Sequence, residues 1–167
     1  NTFAGPWSPD GKQILYTWYG PTTSDIWVMN ADGSGQANLT NSPQADDGFP
    51  AWSPDGERIA FTLYDGNNDV YVMDAGGGAM ERLTDSPGDD FAPAWSPDGT
   101  RIAFVSDRDQ QPGVYDIYVM NADGSAVTRL TADAAIDYSP AWSPDGKEIA
   151  FRSHHDGPAD IYVISAD

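Results

Sequence analysis

The feature that most constrains the fold of this chain is a repeat of about 45 residues. The segment PAWSPDG occurs at 50–56, 93–99 and 140–146, and a close copy, GPWSPDG, occurs at 5–11. A second segment such as DIYVMNADGS follows each copy in step, and a short apolar run such as IAFT lies between the two. Because several motifs recur together and in the same order, the chain consists of four copies of one structural unit.

Each unit predicts a four-stranded antiparallel meander. In the second unit, the segments FPAWS, RIAFTL and VYVMD predict three strands, and MERLT predicts a weaker, more polar fourth strand. SPDG has the composition of a type I turn, and ADGS that of a tight hairpin. The second and third strands are apolar on both faces, so we expect each sheet to lie between two others. Four-stranded sheets that stack at this period are typical of an all-β fold, the β-propeller.

The motifs PAWSPDGKEIAF, DIYVMNADGS and RLT resemble the repeat of the TolB-type, WD-repeat-like β-propellers of bacteria. The resemblance extends over nearly the whole chain. It implies that the PAW strand is innermost and lines a central channel, and that the RLT strand is outermost. We therefore expect one propeller unit with blades at about 1–44, 45–87, 88–133 and 134–167.

The ends of the chain predict an open arc of blades. The fourth unit ends at Asp167 before any RLT strand, and no outer strand precedes Asn1. Apolar blade faces that are left bare in this way mark association sites. We expect either a fragment of a larger propeller or half of an eight-bladed ring that a second copy completes as a homodimer. An isolated four-bladed ring is the alternative.

The charge of the chain is strongly negative, with 26 acidic and 8 basic residues and a formal net charge of -18. Such a chain repels nucleic acid and anionic lipid and attracts cations and basic partners. No apolar run approaches the roughly 18 residues of a membrane span, so we expect no insertion into a membrane. Solubility or a saline habitat is the alternative explanation of the acidity.

A partner is expected on the face that carries the longer loops, which join the second strand to the third and each blade to the next. We call it the long-loop face. Most of the aspartates fall on it, whereas its clear base is Arg108. The residues expected to contact a basic protein or peptide are Asp46, Asp89, Asp109, Asp133 and Asp156.

A recurring acid lies five residues before the repeat tryptophan, at Asp47, Asp90 and Asp137, with Thr2 in the first unit. These positions begin the innermost strand, so we expect the carboxylates near the channel mouth. Carboxylate oxygens suit Ca²⁺ or Mg²⁺, and the resemblance implies that the channel can hold metal ions. The sequence thus predicts a Ca²⁺ site at these three aspartates. The alternative is that each carboxylate accepts hydrogen bonds within its own loop.

A second recurring acid opens the third strand of every unit, at Asp25, Asp69, Asp116 and Asp160. An acid at a strand start in all four units is expected to fix its loop rather than to bind a ligand.

The sequence contains no catalytic motif: it has no G-x-S-x-G elbow, no H-E-x-x-H and no cysteine. The acids follow the repeat, whereas catalytic sites usually break it. We expect a non-catalytic module, and the resemblance implies a scaffold that grips a peptide or protein at the channel mouth, in the bacterial periplasm or outside the cell. The alternatives are a propeller beside a peptidase or carbohydrate-active domain and an engineered repeat fragment.

Overall fold

The computed structural model describes residues 2–110, 112–132, 135–155 and 157–167. Within these residues the chain forms fifteen β-strands and no helix. The strands are β1 (Thr2–Trp7), β2 (Gln13–Tyr19), β3 (Ser24–Asn30), β4 (Ala37–Asn38), β5 (Asp46–Trp52), β6 (Arg58–Tyr64), β7 (Asn68–Asp74), β8 (Glu81–Arg82), β9 (Asp90–Trp95), β10 (Arg101–Ser106), β11 (Asp116–Asn121), β12 (Thr128–Arg129), β13 (Asp137–Trp142), β14 (Glu148–Ser153) and β15 (Asp160–Ser165).

The strands form four antiparallel sheets, one for each sequence unit. Three sheets are four-stranded, in the orders β1-β2-β3-β4, β5-β6-β7-β8 and β9-β10-β11-β12, and the last contains β13-β14-β15. We call them blades 1 to 4. In blade 2, Ile59 is opposite Met73 and Phe61 is opposite Tyr71, which is the register that a continuous meander gives. The predicted all-β propeller of four blades is confirmed.

The Ser-Pro-Asp-Gly turn closes one end of every blade. In blade 3, the N–H of Gly99 donates to the carbonyl of Ser96 at 2.9 Å, and the Asp98 carboxylate accepts from the Ser96 hydroxyl at 2.6 Å and from the Thr100 N–H at 3.0 Å. These donors, the Ser96 hydroxyl first, lower the pKa of Asp98 to about 2. The same serine–aspartate contact recurs in the other three turns. The turn acids are therefore structural, as the sequence predicts.

Three apolar clusters lie between successive blades and are built from equivalent residues. Between blades 2 and 3, Val70 and Val72 join Trp95, Ile102 and Phe104 in one buried cluster. Burial of an aliphatic or aromatic side chain contributes about 1.5–3 kcal/mol. The apolar runs on both faces of the second and third strands are thus explained by burial against a neighbouring blade on each side.

The two outermost faces of the arc have no such cover within the part of the chain that the structure describes. Trp7 is 57% exposed, whereas its equivalent in blade 2, Trp52, is 8% exposed. At the other end, Ile161 is 66% exposed, whereas its equivalent Val70 is fully buried. The side chains that would contact a neighbouring blade therefore face outwards on blades 1 and 4.

A membrane-spanning helix is absent from the described residues.

Candidate functional site

The acid at the start of the third strand anchors the outer strand of its own blade. In blade 2, Asp69 accepts from the Thr84 hydroxyl at 3.2 Å and forms an ion pair with Arg82 at 2.7 Å. The Thr84 hydroxyl also accepts the N–H of Val70 at 2.9 Å. Blade 3 repeats this arrangement at Asp116, and in blade 1 Asp25 accepts from the Thr40 hydroxyl and from the amide of Asn38, which takes the place of the arginine. The structural role expected for this acid is confirmed in these three blades.

The acid of the inner strand of blade 3 is neutralised by the chain itself. One oxygen of Asp90 lies 2.8 Å from the guanidinium of Arg108, and the other accepts from the Ser86 hydroxyl at 2.9 Å. The Arg108 guanidinium also lies over the rings of Phe104 and Tyr118, at 5.1 and 5.2 Å from their centroids. The Arg108 guanidinium thus supplies, beside Asp90, the positive charge that the sequence analysis expected from a metal ion.

The equivalent acid of blade 2, Asp47, is buried without such a partner. Its side chain is 1% exposed, and neither carboxylate oxygen makes a hydrogen bond of good geometry within the described residues. Burial raises the pKa of Asp47 to about 6; the nearby hydroxyls of Thr40 and Ser42 lower it in part, and the charges of Asp25 and Asp46 raise it further.

Asp137 in blade 4 resembles Asp47 in its surroundings. It is buried, and its two carboxylate oxygens have no hydrogen-bond partner among the residues described. Its backbone N–H donates to the carbonyl of Tyr115 in blade 3 at 2.8 Å. Asp47, Asp90 and Asp137 are thus all buried and are not exposed at the channel mouth.

The three aspartates do not form a recognisable group of metal ligands within the described residues. No group of three or more His, Cys, Asp or Glu side chains that could hold a metal ion occurs in residues 2–110, 112–132, 135–155 and 157–167. Ca²⁺ binding at Asp47, Asp90 and Asp137 therefore remains a prediction from the sequence.

The aspartates expected to contact a partner differ in the hydrogen bonds that they already make within the chain. Asp46 accepts from the N–H and hydroxyl of Ser24 at 2.7 and 3.0 Å, and Asp89 accepts from the N–H and amide of Asn68 at 3.1 and 2.9 Å. Asp46, which begins β5, and Asp89, which precedes β9, thus each join their own blade to the third strand of the preceding blade. Asp109 is exposed and accepts from the hydroxyl of Tyr118 at 2.9 Å. Asp133 and Asp156 lie outside the described residues.

An apolar cavity of about 400 Å³ occupies the channel mouth. Phe3, Tyr19 and Phe49 line it together with the prolines of the inner strands. Phe49 and its equivalents have positive φ angles, of 52° at Phe49, 53° at Ala92 and 58° at Ser139, where the inner strands bulge. Bulges and left-handed residues of this kind are enriched beside binding sites.

The sequence did not indicate the cavity aromatics or the role of Arg108. Phe3 and Phe49 fall at different offsets from their tryptophans, so the repeat does not align them. The sequence does hold a sign that Arg108 is unusual, because it is the clear base on an acidic face and lies two residues beyond the end of a strand. Only the register that places Ser106 opposite Asp90 reveals which acid it neutralises.

Comparison with protein families agrees with the repeat. The TolB beta propeller domain matches residues 2–117 and again 110–167. The Tol-Pal system protein TolB of Anaeromyxobacter dehalogenans strain 2CP-C is 48% identical over 46 residues, which is 28% of this chain and 11% of that protein. The match thus spans a small part of the curated relative.

Solved structures give the same fold over more of the chain. A protein assigned as TolB from Agrobacterium tumefaciens has a TM-score of 0.83 at 29% identity and covers 96% of this chain and 60% of its own. TolB from Acinetobacter baumannii has a TM-score of 0.83 at 27% identity, over 99% of this chain and 41% of its own. Oligogalacturonate lyase from Vibrio parahaemolyticus shares the fold alone, with a TM-score of 0.72 at 16% identity over all of this chain and 48% of its own.

Proposed function

Because the chain belongs to the TolB beta propeller domain family, we propose that it is a non-catalytic binding module for a basic segment of a protein or peptide. The observation that carries the proposal is the apolar cavity at the channel mouth, which shares Tyr19 and Phe49 with a neighbouring cavity that Asp46 and Asp47 line. Apolar pockets with charged rims are typical of binding sites. The rim charge would attract the partner, and the cavity would hold its apolar side chains.

A salt titration tests this proposal. The peptide (Gly-Arg)₄ should bind in isothermal calorimetry, with an affinity that falls as ionic strength rises from about 0.05 to 0.5 M, because exposed charges are screened. The peptide (Gly-Glu)₄ should not bind. Binding of the basic peptide that does not change with salt would contradict the proposal.

A pair of charge variants locates the binding face. Asp65→Asn with Asp109→Asn removes two charges from the long-loop face, and Asp32→Asn with Asp123→Asn removes two from the turns at the opposite end. We expect the first pair to weaken peptide binding several-fold and the second to leave it nearly unchanged. Equal effects of the two pairs would show a response to net charge only.

We place the module in the bacterial cell envelope, in the periplasm or outside the cell, with a protein as its partner. The resemblance to TolB supports this, as does the relative whose name assigns it to the Tol-Pal system. Fractionation of cells that express the complete open reading frame tests the location. A cytoplasmic product would contradict it.

Self-association is a further part of the proposal. The exposed faces of blades 1 and 4 are equivalents of the two sides of every internal blade junction, so a second copy offers each of them the surface it lacks. Light scattering should then give the mass of a dimer, and Ile161→Asp should reduce it to that of a monomer. A monomeric mass at all concentrations would contradict this.

Three remaining alternatives have separate tests. A propeller that accompanies an enzyme is suggested by the shared fold with oligogalacturonate lyase, and a catalytic domain in the same open reading frame would establish it. Ca²⁺ binding at Asp47, Asp90 and Asp137 predicts heat on calcium titration that Asp47→Asn reduces. Engineered origin would leave no natural open reading frame.

A further inference from the structure

Equivalent acids occur at the long-loop end of the first two blade junctions. In the junction of blades 2 and 3 they are Asp69, Asp89 and Asp90, and in the junction of blades 1 and 2 they are Asp25, Asp46 and Asp47. Two arginines neutralise the first set: Arg82 lies 2.7 Å from Asp69, and Arg108 lies 2.8 Å from Asp90.

The junction of blades 1 and 2 has no base at either position. Asn38 stands where blade 2 has Arg82, and its amide donates to Asp25 at 3.0 Å. Asp65 stands where blade 3 has Arg108, two residues beyond the strand residue that is opposite the inner acid. Two arginines thus pair with two of the three acids in one junction, whereas the equivalent two positions in the next junction hold no basic side chain.

The uncompensated acid borders a cavity. A space of about 340 Å³ lies at this junction, and its walls include Asp46, Asp47, Ser24, Thr62 and Tyr64. Asp47 is almost fully buried, and neither of its oxygens makes a hydrogen bond of good geometry in the described part of the chain, although the hydroxyls of Thr40 and Ser42 lie nearby. A buried carboxylate without a paired cation costs stability unless it is protonated, so Asp47 gains from an incoming cation.

We propose that this cavity is a subsite for an arginine side chain of the partner, whose guanidinium pairs with Asp47 as Arg108 pairs with Asp90. This inference rests on the proposed function and names the side chain that the basic segment inserts. The planar guanidinium suits a buried carboxylate and stacks on aromatic rings, and Tyr19, Phe49 and Tyr64 line the cavity. A metal ion is a poorer fit, because no group of three or more His, Cys, Asp or Glu side chains that could hold one occurs within the described residues.

The probe for this subsite is N-acetyl-arginine amide, followed by NMR of the backbone amides and the aspartate carboxyl carbons. It should shift the signals of Asp47 and Ser24. N-acetyl-lysine amide should bind at least about 5-fold more weakly, because it cannot form the bidentate pair. Asp47→Asn should weaken the arginine probe at least about 10-fold, as expected for loss of a buried ion-pair partner. Unchanged binding to Asp47→Asn would overturn the inference.

The chain offers two reciprocal variants. Asp65→Arg places an arginine at the position of Arg108 and should block the probe by filling the subsite from within. Arg108→Ala should open a second subsite, so that the probe also shifts the signals of Asp90. Circular dichroism and the Tm of each variant show whether it is folded. If folded Asp65→Arg still binds the probe at Asp47, the inference fails.

The outcome separates this inference from the proposed function. If (Gly-Arg)₄ binds the native chain and Asp47→Asn equally well, the basic-segment function stands and the arginine subsite is wrong. If no basic peptide binds at low salt, the proposed function itself is wrong.

Discussion

The guanidinium carbon of Arg58 in blade 2 lies 4.7 Å from the ring centroid of Trp95 in blade 3. Arg101 and Trp142 repeat the contact between blades 3 and 4 at 4.8 Å. The arginine follows one Ser-Pro-Asp-Gly turn, and the tryptophan precedes the next. The repeated turn segment therefore carries both halves of a contact between neighbouring blades.

Arg58→Ala should lower the free energy of unfolding by about 1 kcal/mol, since it removes a cation–π contact and the packing of the side-chain stem. Arg58→Lys should lower it less. The matched gain-of-function variant is Gln13→Arg, because Gln13 occupies the equivalent position beside Trp52, and it should raise stability. Urea unfolding measures all three changes. A fully neutral Arg58→Ala would show that the contact does not stabilise the blade stack.

The outer-strand anchor predicts a larger effect. Thr84→Val keeps the size of the side chain but leaves the N–H of Val70 and the carboxylate of Asp69 without the Thr84 hydroxyl. We expect a loss of about 1–3 kcal/mol in the free energy of unfolding, as for other buried groups that lose a partner. Thr128→Val at an exposed position is the control and should change stability by less than about 0.5 kcal/mol. Similar losses in both would contradict the anchor.

The repeat made the strands, the turns and this anchor predictable, because each depends on local chemistry that every blade repeats. The ion pair of Asp90 with Arg108 was not predictable, since only blade 3 has the arginine and its loop has no counterpart in length. The hydrogen bonds of Asp46 and Asp89 to the preceding blade were not predicted for a related reason. These contacts join two blades, and the sequence of a single repeat does not show which residues of the neighbouring blade lie within reach.

Stability should depend on pH through Asp47. Its pKa of about 6 in the folded protein lies above the usual value of 3.8. The folded state therefore binds more protons than the unfolded state between these values, and the free energy of unfolding falls as pH rises through this window. Asp47→Asn should remove this part of the pH dependence and stabilise the protein at pH 7 by roughly 1–2 kcal/mol. Chemical unfolding at pH 4.5 and 7 on both proteins, at about equal ionic strength, gives the comparison. A mutant with the same slope as the native chain would exclude Asp47 as the source.

The bulge of the inner strands predicts opposite effects of glycine at two neighbouring positions. Ala92 has a φ of 53°, and its N–H donates to the Thr62 hydroxyl of blade 2 at 3.1 Å, so contact with the neighbouring blade holds alanine in a left-handed conformation. Glycine adopts this conformation without the cost of about 1–2 kcal/mol that a Cβ imposes. Ala92→Gly should therefore leave stability unchanged or raise it. Ala94→Gly, two residues further along the same strand, should lower it by about 0.5–1 kcal/mol through the entropy of the unfolded chain. If both variants lose the same stability in thermal unfolding, the positive φ at Ala92 carries no strain, and the bulge is no more than a relaxed bend in the strand.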